Sequence, residues 1–319
     1  MRRSDFLAPR GGIAARPLVA EGQQSGKVAR IGLLSTSFGQ RTAAVRAFND
    51  RLKGLGYIEG RNLSIELRDG EGRNDQLPAF AAELADLGVN VIVTLGPYAT
   101  QAAKDATASI PIVFAGLGGN FPLARSEGNL TGVVEELIDS TAKRLTILRE
   151  AVPGVRRVGI LANPDNYGTP TYLRQSRAWA HEVGLALYVY DVRDPDDIEP
   201  IFAEIDNNRI EALIAFPDSI IFGQRDKIVQ TALRNNLPGI FIYREWVSAG
   251  GLMAYGVNQA TILGGPVPIM VDKILKGAKP SELPAEQSKL GLFINLESAR
   301  KMGVSLPEFL LARADEAIE

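Results

Sequence analysis

The sequence predicts an α/β protein of two lobes, each a parallel sheet flanked by helices. Short apolar runs alternate with segments in which apolar residues recur every three or four positions, as in successive strand and helix units. This alternation is interrupted at Pro153-Gly154 and then starts again. The 319 residues also suit two domains of roughly 100–200 residues each. We therefore expect two similar lobes joined by a hinge of two or three segments.

The first half of the chain predicts one lobe. The run 89–95 is apolar except for Asn90 and Thr94, as expected for a strand buried on both faces of a parallel sheet. Pro97 follows it closely, and proline favours the first turn of a helix. The predicted strands here are 28–34, 63–67, 89–95 and 110–115, and the predicted helices are 44–55, 75–87 and 97–106.

The second half repeats this order of elements without a sequence repeat that can be aligned. A short strand at 132–136 and a helix at 140–151 come before the interruption. The later predicted strands are 157–162, 185–192, 212–216, 239–243, 252–255 and 290–295, and the later predicted helices are 169–183, 196–207, 224–235 and 268–276.

The two predicted lobes share one cleft, because ligands of parallel sheets lie beyond the carboxyl ends of the strands. We expect residues 28–120 with 256–285 to form the first lobe, and 132–255 with part of 286–319 to form the second. The predicted hinge segments lie near 120–131, 255–259 and 280–287.

The composition excludes several classes of chemistry. No residue is cysteine, which excludes thiol catalysis, thiolate metal sites, disulfides and a lipid anchor on an N-terminal cysteine. The single histidine, His181, excludes a histidine-cluster metal site, and its mid-helix position favours a packing or surface role. A net charge of -2 without a basic block argues against nucleic acid as a partner. We expect no cofactor and no metal.

The N-terminal segment 1–22 is predicted to be an export signal or a disordered leader. Arg2 and Arg3 precede an apolar stretch, and the small residues Ala20 and Gly22 suit a signal peptidase, although Arg10 and Arg16 interrupt the apolar part. No stretch approaches the ~20 apolar residues that span a bilayer. We therefore expect an exported, periplasmic protein.

Polar, aromatic and charged residues collect after the predicted strands, where a small ligand would be bound. The N-termini of helices and Arg244 suit a carboxylate, and Asp218 suits an amine. Aromatic residues there could stack on a ring. Each also has a structural alternative: Asp218 could be a turn residue after Pro217, and Arg244-Glu245 a surface ion pair. The candidate ligand-binding residues are Ser35, Ser37, Phe38, Gly96, Pro97, Tyr98, Gly116, Asn163, Asn166, Asp218, Arg244 and Tyr255.

Several longer segments resemble the family of ABC transporter substrate-binding proteins that includes tryptophan- and tyrosine-type components. The resemblance begins near residue 28 and extends to the C-terminus. The segments that carry it are 31–35 (IGLLS), 54–63 (GLGYIEGRNL), 71–78 (EGRNDQLP), 110–114 (IPIVF), 128–132 (GNLTG), 250–256 (GGLMAYG), 271–280 (VDKILKGAKP) and 311–316 (LARADE).

This resemblance implies a periplasmic-binding-protein fold of the first type, which closes on a small molecule and presents it to a permease. It also implies that Ser35, the turn 96–98, Asn163, Asp218 and Tyr255 face the cleft.

The predicted function is therefore solute binding without catalysis. The expected ligand is a small amino-acid-like molecule or an aromatic or organic acid, and the expected partner is an ABC permease in the inner membrane. A monomer is expected. The alternatives are a ligand-sensing receptor or regulatory module and a carboxylate-based α/β enzyme.

Overall fold

A computed structural model describes residues 28–37, 42–118, 121–124, 127–135 and 140–319. Their strands are β1 (Ala29–Ser35), β2 (Leu63–Asp69), β3 (Val91–Leu95), β4 (Ile112–Gly118), β5 (Leu130–Glu135), β6 (Arg157–Ala162), β7 (Ala186–Asp191), β8 (Ala212–Ala215), β9 (Gly239–Phe241), β10 (Met253–Gly256), β11 (Glu286–Gln287), β12 (Gly291–Asn295) and β13 (Glu316–Ile318).

The helices alternate with these strands along most of the chain. They are α1 (Ala43–Gly54), α2 (Leu77–Asp86), α3 (Pro97–Ala106), α4 (Ser140–Ala151), α5 (Thr169–Val183), α6 (Ile198–Asn207), α7 (Ser219–Gly223), α8 (Arg225–Arg234), α9 (Arg244–Ser248), α10 (Gln259–Gly264), α11 (Pro266–Leu275), α12 (Leu296–Met302) and α13 (Glu308–Leu311). The 3₁₀ turns are Asn74–Gln76, Pro195–Asp197 and Pro280–Glu282.

The first sheet has the strand order β11-β5-β4-β3-β1-β2, and all its described pairs are parallel. Val91 and Val93 of β3 belong to the apolar cluster under α1, α10 and α11. Ile92 between them belongs to the cluster under α2 and α3. Because side chains alternate between the faces of a strand, helices on both faces favour a strand that is apolar at nearly every position. The largely apolar sequence of β3 is therefore explained by two covered faces.

The second sheet has the order β13-β12-β10-β9-β8-β6-β7. Its described pairs are parallel except β10 with β12. Leu213 and Phe241 lie in one apolar cluster, and Ile214 and Ile240 lie in the cluster on the other face. Both sheets are thus covered on both faces, and the predicted α/β class with two sheets is confirmed.

The position of β5 corrects the predicted lobe boundary. The prediction assigned residues from 132 onward to the second lobe, but Leu130–Glu135 pairs with β4 in the first sheet. The Thr131 hydroxyl also donates to the carbonyl of Leu283, at 2.8 Å. The chain therefore leaves the first sheet after Glu135, and not within the predicted crossing at 120–131. Residues 120, 125 and 126 of that crossing lie outside the described part of the chain.

The last third of the chain returns to the first sheet and leaves it again. Helix α10 packs on α1, and α11 contacts β4 and β5. Strand β11 then joins the edge of the first sheet beside β5, so the part of 286–319 that belongs with the second sheet starts after Gln287. The following strand, β12, lies in the second sheet. The chain therefore passes between the two sheets after β10 and again after β11.

Candidate functional site

A cavity lies between the two sheets, beyond the carboxyl ends of their parallel strands. The first lobe contributes the ends of β1, β3, β4 and β5, and the second contributes the segments after β6, β8 and β9. The cavity has a volume of about 70 Å³. On the same kind of measure one water molecule needs roughly 10–15 Å³, so the space suits a small organic molecule.

The start of α3 forms one wall of the cavity. Gly96 has a φ of +85°, which is unstrained for glycine and lets the chain turn directly from β3 into α3. Pro97 occupies the first turn, where a missing N–H removes no intrahelical bond. No side chain of the described residues caps this end of α3. The partial positive charge of the helix N-terminus therefore lies at the cavity, where it favours an anionic group.

Glu135, the last residue of β5, is a buried carboxylic acid in the cavity wall. Its side chain is 0% exposed, and its Oε1 has no hydrogen-bond partner among the described residues. Its Oε2 accepts a 3.4 Å hydrogen bond from the Tyr243 hydroxyl. Burial raises the pKa of Glu135 to about 8, the Tyr243 bond opposes this, and the nearby Glu245 adds to it. The acid is therefore largely protonated at neutral pH when the cavity contains no cation.

Gly116 makes room for this acid. A Cβ at this position would lie 2.5 Å from Glu135 Oε1, and Gly116 has a φ of +76°. Both the contact and the backbone conformation therefore require glycine. Gly116 also lines the cavity.

Asp218 forms the opposite wall together with two amides. Its Oδ1 accepts from the N–H groups of Ile220 and Ile221, at 2.8 and 3.2 Å, and so caps α7. Its Oδ2 accepts from the side-chain amides of Asn163 and Asn166, at 3.1 and 3.0 Å. Burial raises the pKa of Asp218, and these hydrogen bonds oppose the shift. Both oxygens already have protein donors, so the main role of Asp218 is to hold the segments of this wall together.

Aromatic side chains occupy much of the remaining surface. Tyr98 comes from the first lobe, and Tyr167, Tyr172, Phe222 and Tyr243 come from the second. The Phe222 and Tyr243 rings meet edge to face, with centroids 5.2 Å apart. Burial raises the pKa of Tyr98 and Tyr167, and raises that of Tyr172 to about 12. These hydroxyls stay protonated at neutral pH, so the wall combines apolar faces with hydrogen-bond donors.

The lobes touch each other at the cavity. Ser37 Oγ donates to the Ser219 carbonyl at 3.0 Å, and Ser219 Oγ donates to Asn74 Oδ1 at 3.4 Å. The rings of Phe121 and Tyr167 lie with centroids 4.6 Å apart. These contacts hold the first sheet's loops against the second sheet's loops.

The structure brings together most of the candidate residues, but not all of them. Ser35 and Asn163 lie behind the lining: Ser35 Oγ accepts from the Ser37 N–H at 3.1 Å, and Asn163 supports Asp218. Phe38 lies outside the described residues. The candidates that line the cavity are Ser37, Gly96, Pro97, Tyr98, Gly116, Asn166 and Asp218.

Arg244 and Tyr255 lie elsewhere, contrary to the prediction. The Arg244 side chain forms an ion pair with Glu316 and donates to Ser248 Oγ at 2.6 Å. Its guanidinium therefore links α9 to β13, and it forms its hydrogen bonds within the protein and not with a ligand. The ring of Tyr255 packs against the apolar cluster of the second lobe, and its carbonyl accepts from Arg144 at 3.4 Å.

The sequence analysis missed Glu135, Gln259 and the tyrosines at 167, 172 and 243. Tyr243 ends one predicted strand and Tyr167 lies in the loop after another, so the rule applied to the other candidates would have found them. Glu135 ends a strand that the prediction assigned to the wrong lobe. Gln259 starts a helix of 6 residues, which is too short to show helical periodicity.

Two classes of feature are absent from the described part of the chain. It contains no group of three or more histidine, cysteine, aspartate or glutamate residues that could hold a metal ion. None of its helices combines the length and apolar character needed to cross a membrane.

Comparison with known sequences gives a family and a curated relative. The model of a family described as ABC transporter substrate binding protein matches residues 35–318. The tyrosine-binding protein of Clostridioides difficile (strain R20291) is 20% identical over 247 residues, which cover 76% of this chain and 70% of that protein.

Solved structures share the fold. A conserved domain protein from Vibrio cholerae O1 biovar El Tor strain N16961 has a TM-score of 0.81 and 22% identity, covering 91% of this chain and 100% of that one. The ABC domain in complex with L-Trp from Streptococcus pneumoniae has a TM-score of 0.78 and 22% identity, covering 91% of this chain and 99% of that one. These likenesses confirm the predicted periplasmic-binding-protein fold of the first type.

Proposed function

The chain belongs to the ABC transporter substrate-binding protein family, and we propose that it is the solute-binding component of an ABC importer. Its solute is a small amino-acid-like molecule or an aromatic organic acid, held between the lobes. The observation that carries this proposal is the cavity itself. It is lined from both sheets by tyrosines, an uncapped helix N-terminus and a buried acid.

Each part of the wall suits one part of such a solute. The N-terminus of α3 suits a carboxylate, because its unpaired N–H groups and helix dipole favour negative charge. The faces of Tyr98, Tyr167 and Phe222 suit an aromatic or apolar body. The tyrosine named for the C. difficile relative and the L-Trp of the S. pneumoniae complex support an aromatic amino acid.

The mechanism is closure of two lobes around the solute. Groups from both lobes bind it, so the bound solute stabilises the closed arrangement over the open one. Ser37 and Ser219 would separate when the lobes open, because their hydrogen bond joins the two sheets. The crossings after β5, β10 and β11 are the proposed hinge, and the lobes are 28–135 with 256–287 and 140–255 with 291–319.

The proposed site of action is the periplasm, with segment 1–22 as the export signal and an inner-membrane permease as the partner that receives the solute. The protein is proposed to act as a monomer without a cofactor.

A thermal-shift screen against aromatic and branched amino acids and their deaminated acids tests the proposal. A solute that binds only the folded protein raises its melting temperature. We expect L-tyrosine, L-tryptophan or a related aromatic compound to do so, and the bound solute to be recovered chemically unchanged. Conversion of the solute would instead indicate an enzyme.

A pair of aromatic variants locates the binding. Tyr167 lines the cavity yet is 38% exposed, so Tyr167→Ala removes a ring without hollowing the core. Phe309, which is 52% exposed on α13, gives the matched control Phe309→Ala. We expect the solute-induced shift to fall in Tyr167→Ala only. Equal shifts in both variants would contradict binding in this cavity.

A further inference from the structure

Two buried acceptor atoms in the cavity wall have no donor among the described residues. One is Oε1 of Glu135, whose side chain is 0% exposed, and the other is Oε1 of Gln259, which is 5% exposed. Both residues line the same cavity, Glu135 from the first sheet and Gln259 from the start of α10. An unpaired buried acceptor costs free energy, and such groups in native proteins normally have a partner.

Once Glu135 is ionised, both oxygens need a partner that supplies hydrogen-bond donors. A primary ammonium group has three N–H donors and no acceptor, so it can serve both oxygens at once. It also carries the positive charge that a buried carboxylate requires. A ligand hydroxyl offers one donor and no charge, so it would serve only one of these oxygens and leave the carboxylate uncompensated.

We infer that Glu135 and Gln259 bind the ammonium group of the solute, and that Glu135 gives up its proton to solvent when the ammonium enters. This inference rests on the proposed solute-binding function. The exchange balances: the neutral acid and the ammonium ion become a carboxylate–ammonium pair, and one proton leaves the protein. No other covalent bond forms or breaks.

The groups around Glu135 are consistent with a protonated Glu135 side chain in the empty cavity. The Tyr243 hydroxyl donates to Oε2, which favours the anion, whereas Glu245 on α9 is a like charge that disfavours it. A negative charge on Glu135 also raises the pKa of Tyr167 and Tyr172. Desolvation dominates, so the pKa of Glu135 is about 8 in the empty cavity.

Among the described residues one lysine or arginine side chain is buried, that of Arg144, and it is already bound by other groups. Arg144 donates to Thr141 Oγ1 at 2.9 Å, to Ser140 Oγ, and to the Tyr255 carbonyl at 3.4 Å. It is not among the groups that shift the pKa of Glu135. The positive charge that Glu135 lacks must therefore come from elsewhere, and the cavity is open to a solute.

Asp218 is a weaker candidate for the ammonium group, although the sequence suggested it. Its two oxygens accept four hydrogen bonds from Ile220, Ile221, Asn163 and Asn166. Glu135 Oε1 accepts none from the described residues. The ammonium group therefore belongs on the first lobe's acid.

Calorimetry with L-tyrosine and L-tryptophan as probes tests the inference on the full chain. Titrations at pH 7 in two buffers of different ionisation enthalpy measure the protons released per solute bound. We expect about one proton, and Kd falling by about tenfold per pH unit between pH 6 and 7.5, because bound solute and proton compete for Glu135. The deaminated acids of the same probes should bind weakly and release no proton.

The isosteric variant Glu135→Gln should lose proton release and weaken L-tyrosine binding by about 100-fold, since the buried ammonium then lacks its counter-charge. Glu182→Gln, an exposed change on α5, is the matched control and should behave like the wild type. Wild-type proton release is measured independently of whether the variant folds.

The outcomes separate this inference from the proposed function. Deaminated acids that bind as tightly as the amino acids would overturn the ammonium site and leave solute binding intact. Affinity that falls as pH rises would overturn it too, because Glu135 would then act as a neutral donor. Failure of every amino acid and acid to bind would overturn both.

Discussion

The burial of Glu135 predicts a specific pH dependence of stability in the absence of solute. Its pKa is about 8 in the folded protein, against an ordinary value of 4.5. Between these values the folded protein holds a proton that the unfolded chain has lost. The resulting stabilisation is complete below about pH 4.5, and it is lost as pH rises through about 8. Wild-type stability should therefore fall with increasing pH through this window.

The expected size of this change in the free energy of unfolding follows from the uptake of one proton by Glu135. Each pH unit inside the window changes the free energy of unfolding by roughly 1.4 kcal/mol for one bound proton. From pH 5.5 to 7.5 the contribution of Glu135 should fall by roughly 2.7 kcal/mol. Glu135→Gln keeps the shape of the side chain but cannot ionise, so it lacks this change. The unfolding free energy of the variant minus that of the wild type should thus rise by the same amount.

Urea unfolding at pH 5.5, 6.5 and 7.5 measures this difference for both proteins. Subtracting the two curves removes the contributions of ionisable groups that do not interact with Glu135, including Asp218, whose pKa burial also raises. Glu182→Gln on the exposed surface controls for the loss of one carboxylate. Parallel curves for the wild type and Glu135→Gln would refute the reasoning, since they would mean that Glu135 takes up no extra proton on folding.

Three further substitutions test the walls of the cavity. Gly116→Ala should lower the free energy of unfolding by roughly 1–3 kcal/mol, because it forces a strained φ and meets Glu135, and it should abolish the solute-induced thermal shift. Ser37→Ala should raise the solute Kd about 2- to 13-fold in calorimetry, since one hydrogen bond across the lobes contributes ~0.5–1.5 kcal/mol. Asp218→Ala should cost roughly 1–3 kcal/mol in urea unfolding, because the donors it serves lose their acceptor.

Each of these has a matched control outside the cavity. Gly54→Ala adds a methyl group where nothing lies within 4 Å, so it should leave both stability and the thermal shift close to wild type. Ser109→Ala and Asp206→Ala remove exposed polar side chains and should not change Kd or stability appreciably. Gly116→Ala with an unchanged shift, Ser37→Ala with an unchanged Kd, or Asp218→Ala with an unchanged urea midpoint would each contradict the role assigned.

The order of the elements was predictable because the signals for them are local. The predicted helix at 169–183 coincides with α5, Thr169–Val183, and the predicted strand at 157–162 coincides with β6, Arg157–Ala162. The short helices α7 and α9 were missed, since 5 residues make less than two turns and show no period. Strand β11 has 2 residues, Glu286 and Gln287, and both are exposed, so no apolar pattern marks it.

The candidate site was predictable only as far as one rule extends, namely that loops after parallel strands meet at one edge. The rule found Tyr98, Asn166 and Asp218, which do line the cavity. It failed for Arg244, which also follows a strand but pairs with Glu316, a residue far away in the sequence. No local pattern in the sequence indicates whether a side chain after a strand will line the cavity or pair with a distant residue, as Arg244 does.

The sequence by itself determined the class of the fold, the alternation of strands and helices, and the absence of thiol chemistry, because periodicity and composition are properties of neighbouring residues. Tertiary structure alone decided that β5 pairs with the first sheet, that Glu135 is buried beside Tyr243, and that Asp218 is saturated by protein donors. Burial and pairing depend on residues more than a hundred positions apart, as for Glu135 and Tyr243, and desolvation is the property that sets the charge of this acid.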